Sequence, residues 1–190
     1  KKWSHPQAMI WSRLPGDIVS SGTNAGVVEP RGEEGVDFIV TSDHNRSPLS
    51  LDMQRIESRT RMVSGNMRSY HTADKANLSV SWSLLPSRAY ANQVTFQNDG
   101  TYYPDYECEY TADCGAGGVD LLTWYGETIG PMWVFLAYDR YDNNAVAPDP
   151  FAHNYQYVDR KQMFFSSFNY AVAKRGIYDM WDVSVSLEEA

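Results

Sequence analysis

Apolar and polar residues alternate along much of this chain with a period of two rather than 3.6. Leu78, Val80 and Trp82 are interleaved with serines, and Trp181, Val183, Val185 and Leu187 with Asp182, Ser184 and Ser186. That spacing puts the large side chains on one face of an extended strand and leaves the other face wet. VDFIVT (36–41), LSLDMQRIES (49–58) and QMFFSSFNYAVAK (162–174) read as further strands. PMWVFLAYD (131–139) is almost wholly apolar, which predicts a strand covered on both faces. Shorter strand signals fall on VTF and TYYPDYECEY, around an Asp99-Gly100 turn. One segment breaks the pattern. GAGGVDLLTWYGE predicts a single helix of about two turns, with Asp120 in its first turn and Gly126 at its end. The glycines ahead of it suit a turn and close packing.

Between 55 and 75 the sequence predicts a hairpin. Arg55, Glu57, Arg59 and Arg61 fall on one side of an extended chain, and Ile56, Ser58, Thr60 and Met62 on the other. Ser64-Gly65-Asn66 supplies the turn, because Gly and Asn tolerate positive φ, and Met67, Arg68, Ser69 and Tyr70 return. Residues 1–35 are dense in turn formers and predict an extended N-terminal arm, with 36–190 a single β-rich domain. The expected fold is mainly β, an antiparallel sandwich or barrel with one short helix and that arm.

Composition adds little to the fold but something to the surface. With 190 residues and a 43% hydrophobic share, the chain has room for one substantial core. Thirteen Tyr and six Trp suit pleated sheets and interfaces. No apolar run approaches the roughly 20 residues a membrane-spanning helix needs, and KKWSHPQAMIW lacks the apolar centre of a secretory signal.

Charge changes the picture more. The net charge is -8, yet residues 89–139 contain eight carboxylates and no Lys or Arg, so that stretch accounts for all of it. Residues 55–75 hold five cations and two carboxylates, a local +3. A chain with one basic and one acidic pole is complementary to copies of itself, joined head to tail until a ring closes. The candidate interface sets Arg55, Arg59, Arg61, Met67, Arg68 and Tyr70 against Asp105, Glu107 and Glu109. Met62, Tyr102, Tyr103 and Tyr106 add apolar contact area. The competing reading is that the arginines solvate a sheet face and pair within the subunit.

Catalytic constellations are not found. There is no phosphate-binding G-x-x-x-x-G-K-[ST], no H-E-x-x-H and no G-x-S-x-G. His71 and Asp74 read as a surface contact and a turn residue. The carboxylates lack calcium-loop register. Cys108 and Cys114 lack the companions of a structural zinc, which leaves two free thiols or a small disulfide loop open. No enzymatic activity, cofactor or metal is expected, and the acidic balance argues against a nucleic-acid binder.

Three stretches, GNMRSYHTADKANLSVSWSLLPSR, GGVDLLTWYGETIGPMWVFLAYDR and WDVSVSLEEA, resemble tail-tube-fold and distal-tail virion structural proteins of long-tailed bacteriophages. The resemblance covers residues 36–190. It implies a tail-tube-like domain forming homo-oligomeric rings, commonly hexamers, with other tail or neck proteins as partners. It also implies a place in the virion tail after synthesis in the host cytoplasm, at a tube, distal or tail-completion position. Genome DNA would meet the protein only transiently, in a channel whose carboxylates repel phosphate, and no membrane would be involved. The arm has no counterpart in a minimal tube domain. The alternative is a β-sandwich carbohydrate- or receptor-binding module, with Tyr102 and Tyr103 stacking on sugar faces.

Overall fold

The alternating segments pair into an antiparallel sheet. The computed structural model describes residues 9–20, 28–88, 94–96, 102–104, 111, 115–141, 153–176 and 179–190. Its elements are, in chain order, β1 (Met9–Ser12), β2 (Asp17–Ile18), β3 (Val28–Glu29), β4 (Phe38–Val40), β5 (Ser50–Arg61) and β6 (Met67–Pro86). There follow β7 (Val94–Phe96), β8 (Tyr102–Pro104), α1 (Gly118–Glu127), β9 (Met132–Tyr141), β10 (His153–Lys174) and β11 (Met180–Glu189). Seven strands form one sheet in the order β4-β1-β9-β10-β11-β6-β5, while β2–β3 and β7–β8 are separate pairs.

The period-two residues meet where the pattern requires. In the β11–β6 ladder Val183 stands opposite Trp82, Val185 opposite Val80 and Leu187 opposite Leu78, all buried. They share a core with Met9 and Trp11 of β1, Met132, Val134 and Leu136 of β9, and Met163 of β10. Trp11 and Trp82 lie on strands far apart in the sheet order, yet their rings meet edge to face at 6.4 Å. The sheet therefore curls until β1 and β6 touch across one core.

No strand ladder closes the curl among the described residues. The segment after β4 ties the two sides instead. Trp82 Nε1 donates to the Ser42 carbonyl at 2.6 Å, and the Ser47 amide donates to Ser81 O at 2.8 Å. The expected antiparallel β class with one helix is what the described residues adopt. Its form is a single curled sheet that is not closed, between the sandwich and barrel geometries considered.

A second apolar cluster covers the opposite face, built from Ile10, Phe38, Val40 and Phe135 with Val28 of β3. β9 is thus covered on both faces, as its continuous hydrophobicity predicted. The extended arm expected over 1–35 needs one correction. Met9–Ser12 is a wholly buried strand seated between β4 and β9, because MIW has apolar neighbours waiting on both faces.

The helix crosses the concave face. Leu121 and Trp124 are its buried contacts, and a Cβ on Gly118 would lie 2.9 Å from the Trp181 ring. Asp120 accepts the Gly117 amide at 2.9 Å, holding a carboxylate at the electropositive end. Arg13 lies over the Trp124 ring at 4.6 Å and bridges to Glu127 at 2.7 Å. Gly126 falls inside the last turn rather than beyond it, and the Thr128 amide closes the helix on Trp124 O at 3.0 Å.

Candidate assembly surface

β5 and β6 outrun the core. Their ladder pairs Ser50 with Ser79 and continues to Arg61 with Met67. β11 accompanies β6 only as far as the Glu188–Asn77 pair. Beyond Ala76, the last buried residue of β6 in that direction, the two strands continue alone. From 52 to 75 no residue is buried. The nine residues 67–75, at about 3.3 Å each, carry this ribbon roughly 30 Å past the core. Among the described residues, both faces and the outer edge of β6 are open there. An unsupported two-stranded hairpin is marginal in water, so this one calls for a covering surface.

Gly65 has φ +81, and its turn is held by the Met62 amide donating to Asn66 O at 2.8 Å. The face continuous with the core carries Met53, Arg55, Glu57, Arg59 and Arg61, opposed by Ala76, Asp74, His71, Ser69 and Met67. A bulge between Ile56 and Glu57, where the partner jumps from Ala73 to His71, keeps the charged residues of both strands together. The other face carries Ile56, Ser58 and Thr60 against Ala73, Tyr70 and Arg68.

Charge on the ribbon is partly satisfied within the subunit. Arg55 Nε donates to Asp74 Oδ1 at 3.0 Å, and His71 Nε2 lies 3.1 Å from the same oxygen. These contacts hold the Asp74 carboxyl below its ordinary value, through Arg55 first and His71 second, and raise Arg55 in return. Glu57 accepts from the Ser69 hydroxyl at 2.7 Å and pairs with Arg59; its pKa is lowered, chiefly by Ser69 and then by Arg59. Arg61 and Arg68 have no ion pair among the described residues. Two arginines are therefore paired within the subunit, and two have no ion pair among the described residues.

The structure brings Arg55, Arg59, Arg61, Met67, Arg68 and Tyr70 together on one projection. Asp105, Glu107 and Glu109, expected to oppose them, lie outside the described residues, as do Tyr106, the cysteines and the side chains of Tyr102 and Tyr103. Exposed apolar residues that escaped the interface reading include Met53, Ile56 and Val63 on the ribbon, Tyr125 on α1, and Tyr170 and Val172 on β10. Val63, fully exposed at the apex, had a legible signal, since Met-Val directly before Ser-Gly-Asn puts apolar side chains on a turn. His71 and Asp74 belong to the cross-strand charge network. Among the described residues no three His, Cys, Asp or Glu side chains gather as metal ligands, and no helix is long and apolar enough to cross a membrane.

No family model and no curated protein matches the chain. Among solved structures it is similar to a chain from the tail of an empty GTA particle, computed with helical refinement and C6 symmetry. The TM-score is 0.38 and the identity 9%, over 80% of this chain and 81% of that one. At that distance the likeness assigns neither family nor role.

Proposed function

We propose that this protein is a structural, non-enzymatic subunit that assembles with copies of itself through the β5–β6 ribbon. One observation carries the reading: a two-stranded projection from 52 to 75 with no buried residue, bearing apolar side chains and two arginines without an ion pair among the described residues. Such a surface stabilises by being covered, and apolar, Met- and Arg-rich patches are what protein interfaces cover. The acidic stretch 89–139 gives the basic ribbon a partner of opposite sign on an identical chain. The sequence resemblance supports a place of assembly: a ring in the tail of a long-tailed phage, commonly six-fold, lining or capping the DNA channel beside other tail or neck proteins.

Mass photometry of the purified chain across rising concentration tests the self-association. A concentration-dependent ring is expected, and Arg61→Glu with Arg68→Glu should shift the population towards monomer. A monomer at every concentration, or a double variant that assembles like the parent, would overturn the proposal. Locating the protein by labelled imaging on purified phage particles tests the tail placement separately.

A further inference from the structure

A head-to-tail contact needs two different surfaces, and the concave face of the sheet supplies a second one. Phe168, Tyr170 and Val172 of β10 stand opposite Val185, Val183 and Trp181 of β11, so they share the core-facing side. The helix covers that side only in part. Tyr125 of α1 stacks on Phe168 at 4.8 Å, and Tyr170 stacks on Trp181 at 5.0 Å. Beyond the helix the face opens: Tyr170 is 52% and Val172 37% exposed. The strand edge is open as well, because β9 leaves β10 at Met163 and only β11 pairs with it from there to Lys174 among the described residues.

Register fixes where this patch lies relative to the ribbon. Lys174 pairs with Met180, and Met180 with Pro86, the last residue of β6. The ribbon leaves from the Met67 end of that same strand. The aromatic patch and the ribbon therefore sit at opposite ends of the sheet, so one subunit cannot bring them together, but two arranged head to tail can.

We infer that the Tyr125–Phe168–Tyr170 patch is the socket that receives the ribbon tip of a second copy, an assignment that rests on the ribbon-mediated assembly proposed above. The chemistry matches on two counts. Met62, Val63 and Met67 are exposed at the tip, and thioethers pack favourably against aromatic rings. Arg61 and Arg68 flank them, and a guanidinium is attracted to a ring face. The open edge of β10 adds unpaired backbone groups that an incoming strand can satisfy.

Photo-crosslinking of the full chain with p-benzoylphenylalanine in place of Val63 tests the assignment. The expected result is an intermolecular product whose far end maps to 118–127 or 164–174. Crosslinks mapping to 105–109 in an assembled protein would overturn the socket while leaving ribbon-mediated assembly intact. A protein that stays monomeric would overturn both. Val172→Glu, on a half-exposed side chain, should raise the dissociation constant of assembly at least tenfold with an unchanged circular dichroism spectrum; Asn169→Ala, outside the patch, should not. Equal behaviour of the two variants would likewise remove the socket.

Discussion

Arg55 and Asp74 stand directly opposite one another in the β5–β6 ladder, joined Nε to Oδ1 at 3.0 Å. They occupy the position just outside the Met53–Ala76 pair, where burial of β6 ends. Farther out, hydrophobic burial cannot specify which residue faces which, and a strand with two wet faces slips easily. The ion pair and the bulge beside it supply that specification. Asp74→Asn should therefore speed amide exchange over 67–75 while leaving the global unfolding midpoint nearly unchanged, since exposed pairs contribute little to stability. Exchange rates that match the parent would assign register to the turn alone.

Acid should act on the same region. The folded-state pKa values of Asp74 and Glu57 both lie below their ordinary ones. Their contribution is therefore fully present above the usual carboxylate range and disappears as pH falls through the lowered values. The buried polar side chains among the described residues are Ser12, Thr41, Ser42 and Thr111, none of which titrates in that window. Between pH 6 and pH 3, ribbon amides should lose protection before those of β9 and β11. Simultaneous loss would mean that ribbon and core unfold as one unit.

The Trp11–Trp82 contact holds the curl. Trp82 is 1% exposed and anchors the β4–β5 connection through its indole N–H. Trp82→Ala should cost about 3–5 kcal/mol in urea unfolding, the loss of a large buried side chain and of the tie across the open side. A cost near 1 kcal/mol, the scale of one hydrogen bond, would show that the curl survives without it.

Local pattern disclosed the strands because a sheet with one wet face writes its period into the sequence: Leu78, Val80 and Trp82 could be placed without coordinates. The hairpin was legible for a different reason, its Ser64-Gly65-Asn66 turn, since a ribbon with two wet faces has no burial period to show. Local pattern failed at Met9–Ser12, since three apolar residues between turn-rich segments look alike whether they end an arm or fill a gap between β4 and β9. The socket was hidden for another reason. Residues 162–174 read only as a strand, and nothing along it shows that helix coverage ends before Tyr170 and Val172. The pairing of Arg55 and Arg59 inside the subunit depended on cross-strand register, which spacing along one strand does not contain.

Helix placement depends on a missing side chain. A methyl on Gly118 would meet the Trp181 ring at about 2.9 Å, and Trp181 also supports Tyr170. Gly118→Ala should lower stability by about 1–3 kcal/mol, the cost of overpacking, and weaken assembly as the patch is displaced. Gly126→Ala, where nothing lies within 4 Å, is the matched control in the same helix and should be neutral or slightly stabilising. The comparison is made by thermal unfolding; equal effects would detach stability from the Gly118–Trp181 contact.

Salt separates the two components of the ribbon contact. Its arginines act through charge, and at 1 M salt the screening length falls to about 3 Å from about 10 Å at 0.1 M, so sodium chloride should weaken assembly. It should not abolish it, because Met62, Val63 and Met67 act through burial, which chloride leaves largely intact. Sulfate is excluded from protein surfaces and strengthens burial, so at matched ionic strength it should weaken assembly less than chloride does. The variants should divide in the same way. Arg61→Glu should flatten the chloride dependence as well as raise the dissociation constant, since a cation no longer contributes. Val63→Ser should raise the dissociation constant and leave the chloride slope unchanged. Sedimentation velocity over a salt series measures both quantities for each variant. If the two variants shift slope and intercept alike, charge and burial are not separable on this ribbon.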